Sequence, residues 1–207
     1  MNPLDSPKLQ AQVLGAFFGE SVRAEKLPAG DPVRVNGQKM ADAFTNGVAF
    51  LLTSFPNDRI QSLMKLVWDV VGHRIAPVAL GQQVPSLSLA ARLDGDAIIF
   101  MPHNWLEMIA KDPVEQMGAL VFVGSQAVDF YNGKLLTSKE TAQQDHTNTI
   151  KRARAYEAEY LKTVKAGFPD WKFTPYQQKV LGEYPEGIST PTVASLLYLW
   201  KPFVAPQ

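Results

Sequence analysis

Apolar residues recur at helical spacing along the first third of the chain. They fall three or four positions apart from Leu9 to Phe18, again over residues 38–54, and again over residues 58–71. This spacing places the apolar side chains on one face of a helix. We therefore predict three amphipathic helices, with the proline- and glycine-rich residues 27–37 forming a loop between the first two.

The period changes to two in the segment 87–100. Apolar residues alternate with small or polar ones over residues 87–93, and Asp94-Gly95 then precedes the apolar run 97–100. An Asp-Gly pair between two such runs is a strong signal for a β-hairpin. We predict one small hairpin over about residues 87–100, packed on helices because two strands alone are marginally stable in water.

The segment after Asp112 carries the clearest helix signals. Asp112 is a favourable N-cap, Pro113 suits the first turn, and Glu115 stands at the third helical position, as in a capping box. The residues that follow are apolar or small around most of the helical circumference, which is typical of a buried helix. We predict a mainly α fold, a single-domain helical bundle around a buried central helix at about 113–131.

A long polar helix and an aromatic segment complete the chain. The helix is predicted from about Thr137 to Ala166, with a narrow inner stripe that includes His146 and Tyr156. Residues 168–207 are too rich in proline for one long helix and too aromatic to remain in water without a free-energy cost. We expect this C-terminal segment to pack on the rest of a single domain, 1–207, or on a partner.

Two short helices are predicted within the C-terminal segment. Each is opened by a threonine followed by a proline, at Thr174-Pro175 and at Thr190-Pro191. The second presents apolar side chains at helical spacing, a pattern suited to filling a groove. Its candidate interaction residues are Val193, Leu196, Leu197, Tyr198 and Trp200.

Composition narrows the classes of function. The chain has 20 basic and 20 acidic residues, so it lacks the basic surplus that is typical of nucleic-acid-binding proteins. It contains no cysteine, which excludes disulfides, thiolate nucleophiles and cysteine-type zinc sites. Its most apolar window, residues 117–123, is much shorter than the ~20 residues that cross a bilayer. With no signal-peptide pattern, we expect a cytoplasmic protein that binds neither membranes nor nucleic acid.

Motifs for cofactor chemistry are missing from the sequence. There is no glycine-rich nucleotide loop, and the position that a calcium loop starting at Asp94 would fill with glutamate is Trp105. No two histidines stand four residues apart, which is the spacing of a helical zinc site. We therefore expect no cofactor and no bound metal.

Acidic residues on the predicted central helix are the most distinctive candidates. Charged groups are rarely buried without partners. Asp129 in addition lies near the helix C-terminus, where the helix dipole disfavours an acid. We expect a basic partner for it, from Arg74, Arg92 or the cluster Lys151–Arg154. The alternative is an acid with a raised pKa in a functional pocket.

Two functions remain open after this reasoning. The first is a non-catalytic protein–protein interaction or assembly protein, a homo-oligomer included, that uses the mixed-charge long helix and the aromatic C-terminal segment. The alternative is a small hydrolase-like enzyme with a carboxylate and histidine site, in which Asp129 and Glu115 are the acids and His103 or His146 is the proton-transfer partner. The sequence favours the first, because the spacing of these four residues gives the second no positive support.

Overall fold

Helices dominate the described part of the chain, as predicted. The computed structural model describes residues 30, 32–71, 75–79, 86–91, 97–100, 102, 104–132 and 142–185. Its helices are α1 (Pro32–Thr53), α2 (Asp58–Val71), α3 (Trp105–Lys111), α4 (Pro113–Tyr131), α5 (Ala142–Gly167) and α6 (Pro175–Glu183). The mainly α fold class is confirmed, whereas the helical bundle and the single domain stay predictions.

Helix α1 begins earlier than the sequence indicated. The predicted loop over residues 27–37 is wrong for residues 32–37, which are helical. Pro32 occupies the first helical position, where the missing N–H of proline removes no intrahelical hydrogen bond. Gly37 then lies inside the helix, at a cost of about 1 kcal/mol relative to alanine that longer-range packing must offset. The helix predicted over Leu9–Phe18 lies outside the described residues.

Helix α2 has the predicted bounds, and Asn57, which precedes its first residue, caps it. The Asn57 Oδ1 accepts hydrogen bonds from the backbone N–H groups of Arg59 at 3.0 Å and Ile60 at 3.1 Å, as an N-cap does. Its Nδ2 donates to Thr163 Oγ1 at 2.8 Å and to Glu159 Oε1 at 3.1 Å. One asparagine therefore caps α2 and joins it to α5.

Three short strands form a mixed sheet. They are β1 (Ile75–Ala79), β2 (Ser88–Ala91) and β3 (Ala97–Phe100), in the order β1-β3-β2. β3 pairs with β1 in parallel and with β2 in the antiparallel sense, and in the latter pair Ser88 lies opposite Phe100. Residues 92–96, with the Asp94-Gly95 turn, lie outside the described residues, so the closed hairpin stays a prediction. The sequence did not indicate β1.

Helix α4 is buried along most of its length. Asp112 caps it, since its Oδ1 accepts from the Glu115 backbone N–H at 2.9 Å. The helix packs against α2 and α5. Its fully buried apolar residues include Leu120, Val121, Val123, Ala127 and Val128. Burial on several sides explains why apolar residues surround this helix, as the sequence indicated.

A glycine allows α4 to approach α2 closely. A Cβ added at Gly124 would lie 2.8 Å from Val67 Cγ2 and 3.3 Å from Met64 Cε, whereas one added at Gly182 of α6 would meet no atom within 4 Å. Both are helical glycines. Alanine substitutions at these two glycines therefore separate the effect of crowding from that of helix propensity.

We predict that Gly124→Ala destabilises the protein and Gly182→Ala does not. Alanine gains up to about 1 kcal/mol of helix propensity at either site, but at Gly124 it overpacks the core, which typically costs about 1–3 kcal/mol. Urea unfolding should therefore show a lower midpoint for Gly124→Ala and an equal or higher one for Gly182→Ala. A stabilised Gly124→Ala variant would show that α2 and α4 are not in close contact.

Helix α6 begins as predicted, at Thr174-Pro175. Thr174 Oγ1 accepts from the Gln177 backbone N–H at 3.3 Å, and Gln177 Oε1 accepts from the Thr174 backbone N–H at 2.8 Å, which completes a capping box. The helix packs along α5. The connection between α5 and α6, residues 168–174, thereby stands beside the C-terminal end of α5.

Candidate functional site

Asp129, the acid near the C-terminal end of α4, has the basic partner that the sequence predicted. Asp129 is 1 % exposed, and its Oδ2 lies 2.7 Å from both Nε and Nη2 of Arg152 on α5. Arg152 Nη2 also donates to Thr149 Oγ1 at 3.3 Å. Arg152 belongs to the predicted cluster Lys151–Arg154, so that expectation is confirmed. The pair joins α4 to α5 at the end where α4 finishes.

Of the candidate residues of the alternative catalytic grouping, the structure describes Asp129, Glu115 and His146, and Asp129 and Glu115 lie near opposite ends of α4. Asp129 follows Glu115 by 14 residues on one straight helical element, which corresponds to about 21 Å along the axis. His146 is exposed on α5, although the sequence placed it on the inner stripe. The structure gives Ala153, Tyr156, Tyr160 and Val164 as the buried members of that stripe. His103 lies outside the described residues.

A small cavity with a different acid lies at the other end of α4. It has a volume of about 230 Å³ and is bounded by three helices and by residues 86–87. We call it the Glu157 pocket. Its lining residues are Ser86, Leu87, Glu115, Gln116, Ala119, Phe122, Arg154, Glu157 and Tyr176.

Glu157 on α5 is the buried acid of this pocket. It is 3 % exposed. Its Oε2 lies 2.6 Å from Arg154 Nη1, and the Tyr176 hydroxyl donates to its carboxylate at 2.9 Å. Burial raises the pKa of Glu157 to about 7, Arg154 opposes the rise, and the charge of Glu115 adds to it. A carboxyl group that titrates near neutrality in a cleft is a candidate for function.

Arg154 is fixed by its surroundings and not available to a second acid. Its guanidinium stands 4.1 Å from the centre of the Phe122 ring and 5.1 Å from that of Tyr176, in addition to its ion pair with Glu157. Such cation–π contacts favour the charged form between the rings. The guanidinium therefore compensates Glu157, while the Glu115 carboxylate has no ion pair with another described residue.

Sequence reasoning missed Glu157 because Glu157 was not among the residues of the predicted inner stripe of this helix. The signal was present in the spacing. Glu157 stands four residues after Ala153 and four before Leu161, both of which are buried. On a helix these positions share one face, so Glu157 belongs to the buried face and needs the partners that Arg154 and Tyr176 supply.

A second feature is an apolar groove beside the N-terminal part of α4 and the C-terminal part of α5. It has a volume of about 270 Å³, and only apolar and aromatic residues line it. We call it the apolar groove. Its lining residues are Phe50, Phe55, Pro113, Val114, Met117, Tyr160, Val164, Phe168 and Trp171.

Three aromatic side chains of the groove are open to solvent. Phe168 is 66 % exposed, Phe50 is 49 % exposed and Trp171 is 36 % exposed. Phe50 rests edge-on against the buried Phe55, with 6.2 Å between ring centres, and Phe55 stacks on Tyr160 at 5.0 Å. The exposed Phe50 ring is thus backed by the packed pair of Phe55 and Tyr160.

Lysine residues border the groove beyond Trp171. Lys165, Trp171 and Lys172 line an open depression next to it, together with Phe173, Gln178 and Leu181. Lys165 and Lys172 are exposed, and neither forms an ion pair with another described residue. The surface around Trp171 therefore combines exposed aromatic area with free positive charge.

Within the described residues, no three side chains of the ligand-forming types cluster closely enough to hold a metal ion. None of the helices described combines the length and apolar character needed to span a bilayer. The predicted interaction residues of the last helix, Val193 to Trp200, lie outside the described part.

Comparison of the chain with protein-family models, with curated proteins and with solved structures found no match.

Proposed function

We propose that this protein is a non-catalytic protein–protein interaction protein, and that the apolar groove binds an amphipathic helical segment of a partner with acidic residues beside its apolar face. The observation that carries the proposal is the exposure of Phe50, Phe168 and Trp171 around one continuous apolar depression. Exposed apolar area that is contiguous is typical of interaction sites, whereas single exposed apolar residues are ordinary.

The composition of the groove supports a partner more than a small ligand. Aromatic residues and methionine are enriched where proteins bind each other, and the groove combines five aromatic side chains with Met117. The described residues that line it expose almost no polar atom that would orient a small molecule. A partner helix with apolar residues at i, i+3, i+4 and i+7 matches such a surface.

Charge supports an acidic partner. Lys165 and Lys172 stand beside the groove without ion-pair partners among the described residues, and the exposed acid of the connecting segment is Asp170 alone. A partner that carries glutamate or aspartate next to its apolar face would be attracted before contact and oriented by these lysines. A basic partner would be repelled.

The two other proposals from the sequence have less support. One is a contact surface formed by the C-terminal residues Val193 to Trp200, and the other is a homo-oligomer. Binding of the C-terminal segment or of a second copy of the chain to the groove is therefore an outcome of the test below. A hydrolase-like site has less support still, because Asp129 is engaged by Arg152 and lies about 21 Å along the helix from Glu115.

The test is a binding titration with a designed peptide. The probe is a fluorescein-labelled helical peptide of about four turns, with leucine and tryptophan at i, i+3, i+4 and i+7 and glutamate elsewhere. We expect saturable binding by fluorescence anisotropy, and at least about tenfold weaker binding, roughly 1.4 kcal/mol, for Phe168→Ser and for Trp171→Ser. The matched control is Val35→Ser, which removes an exposed apolar residue far from the groove on α1.

Charge is tested with the same peptide. Lys165→Glu combined with Lys172→Glu should slow association and weaken binding, and salt should weaken the wild-type complex. A peptide with lysine in place of glutamate should bind less tightly. Equal affinity of all variants for the peptide would overturn the proposal. So would dimerisation of the wild type that Phe168→Ser abolishes, or tight groove binding of a synthetic 186–207 peptide, because either identifies another occupant.

A further inference from the structure

A tyrosine and a glutamate are hydrogen-bonded on the wall of the Glu157 pocket. The Tyr176 hydroxyl lies 2.9 Å from both carboxylate oxygens of Glu157. We propose that Tyr176 is a nucleophilic tyrosine, which accepts the acyl group of a small activated ester while the Glu157 carboxylate takes its proton. One acyl group is transferred to each chain, so the step is a covalent modification without turnover. It is independent of the apolar groove, which neither residue lines.

The arrangement has the geometry of an activated nucleophile. Such a nucleophile lies within hydrogen-bond reach, about 2.6–3.2 Å, of a base that a third group orients. Here Tyr176 is the nucleophile, Glu157 is the base, and Arg154 is the third group, since its Nη1 lies 2.6 Å from Glu157 Oε2. The guanidinium is itself held 4.1 Å from the centre of the Phe122 ring. Arg154 therefore fixes the carboxylate beside the hydroxyl.

The two partners differ in burial in a way that suits these roles. Glu157 is 3 % exposed and Tyr176 is 40 % exposed, and both line the cavity. Burial raises the pKa of Glu157 to about 7, although Arg154 opposes the rise. A general base is most effective when its pKa is near the working pH. The carboxylate is thus a stronger base than an exposed glutamate, and the tyrosine beside it is accessible to a reagent.

The proposed step balances in atoms and electrons. Tyr176 Oη forms a bond to the carbonyl carbon of the ester, and the phenolic proton passes to Glu157. The bond between that carbon and the leaving oxygen breaks, and the leaving group departs with the electron pair. Glu157 then releases the proton to the leaving group or to water and is ionised again. The ester is the one co-reactant that the step requires.

The size and walls of the cavity limit the ester. A volume of about 230 Å³ is below the roughly 300–1,000 Å³ of pockets for cofactors and drug-sized molecules. Leu87, Ala119 and Phe122 provide apolar wall beside the polar groups. The carboxylates of Glu115 and Glu157 disfavour an anionic reagent. A small neutral ester with a short acyl group, such as 4-nitrophenyl acetate, therefore suits the site.

The pH dependence distinguishes a base from a carboxylate with only a structural role. The charged or titratable groups that face Glu157 are Glu115 on α4, Arg154 on α5 and Tyr176 on α6, and residues 86–87 before β2 are neutral. Because only ionised Glu157 can take the proton, the acylation rate should rise about tenfold from about pH 6 to about pH 8 and then level off. A tyrosine without a base reacts as its phenolate, so its rate rises about tenfold with each pH unit throughout this range.

The experiment measures acetylation of the full chain by 4-nitrophenyl acetate, at low conversion, with tryptic digestion and mass spectrometry. Cleavage after Lys172 and Lys179 releases the peptide 173–179, in which Tyr176 is the one tyrosine. Tyr184 is the internal control, because it is half-buried and has no side-chain hydrogen bond to another described residue. At about pH 7.5, Tyr176 should be acetylated at least about tenfold faster than Tyr184.

Two matched variants test the role of the base. Glu157→Gln keeps the shape of the side chain and an acceptor oxygen but cannot take the proton. It should slow acetylation of Tyr176 by at least about tenfold at about pH 7.5 and remove the levelling of the pH profile. Glu159→Gln, on the same helix but outside the lining of the cavity, should leave the rate unchanged. Circular dichroism establishes that both variants are folded.

The wild-type measurements need no variant, so a folding defect cannot obscure them. Acetylation of Tyr176 no faster than that of Tyr184 would overturn the proposal, as would a wild-type rate that rises about tenfold per pH unit without levelling off. An unchanged rate in folded Glu157→Gln would also contradict it. Each of these results leaves the binding of a peptide to the apolar groove untouched, because Tyr176 and Glu157 do not line the groove.

Discussion

Val121→Asp should prevent the protein from folding. Val121 stands in the middle of α4, a helix that packs against α2 and α5, and is 0 % exposed. A carboxylate there would be buried without a partner, which costs several kcal/mol after relaxation. That cost, added to the lost packing, approaches the whole stability of a typical domain, about 5–15 kcal/mol. Circular dichroism should show the loss of a cooperative thermal transition.

The same substitution at an exposed valine provides the control. Val35→Asp, on α1, should leave the melting temperature nearly unchanged because Val35 is already in contact with water. A Val121→Asp protein that melts close to the wild type would show that α4 is peripheral, which would contradict the arrangement of helices described above.

Arg152→Met should cost about 3 kcal/mol of unfolding free energy. It removes the guanidinium that lies 2.7 Å from Asp129, an acid that is 1 % exposed. Breaking a buried ion pair typically costs about 3–5 kcal/mol, because the remaining charge loses its compensation. The low end applies, since 24 % of the Arg152 side chain is exposed. Urea unfolding followed by circular dichroism measures the change.

A second substitution should recover most of the loss. Replacing Asp129 with leucine in the Arg152→Met background removes the buried acid as well, and apolar replacements of both partners are often neutral. Lys151→Met, at an exposed neighbouring position on α5, controls for the loss of a positive charge. If Arg152→Met and Lys151→Met unfold at the same urea concentration, the ion pair contributes nothing to stability.

Local signals in the sequence were sufficient for several helix ends. Asn57, Asp112 and Thr174 cap the helices that the pattern predicted at these positions, because a cap involves only residues within one turn. The burial of α4 could also be predicted, since its composition is apolar on all sides. The Asp129 partner was narrowed to a small set of basic residues for the electrostatic reason that the structure confirms.

The sites themselves depended on contacts that spacing does not reveal. The Glu157 pocket requires Tyr176, which comes from a helix after a seven-residue connection, and Gln116, which Trp105 fixes. The apolar groove requires Phe50 and Trp171, more than 100 residues apart in the sequence. His146 shows the converse error: its spacing fits the inner stripe, but it lies in the first turns of α5, where no residue from Gln144 to Asn148 is buried.

The location at which the acidic amphipathic peptide binds tests the central proposal most directly. In an NMR titration of isotope-labelled protein, the largest shifts should occur at backbone amides of the groove, such as Met117, Val164 and Trp171. Amides around Glu157 and Tyr176 should change little. Saturable shifts confined to the groove would support an interaction function. The proposal would be contradicted if the peptide caused no saturable shifts, or if the shifts centred on Glu157 and Tyr176.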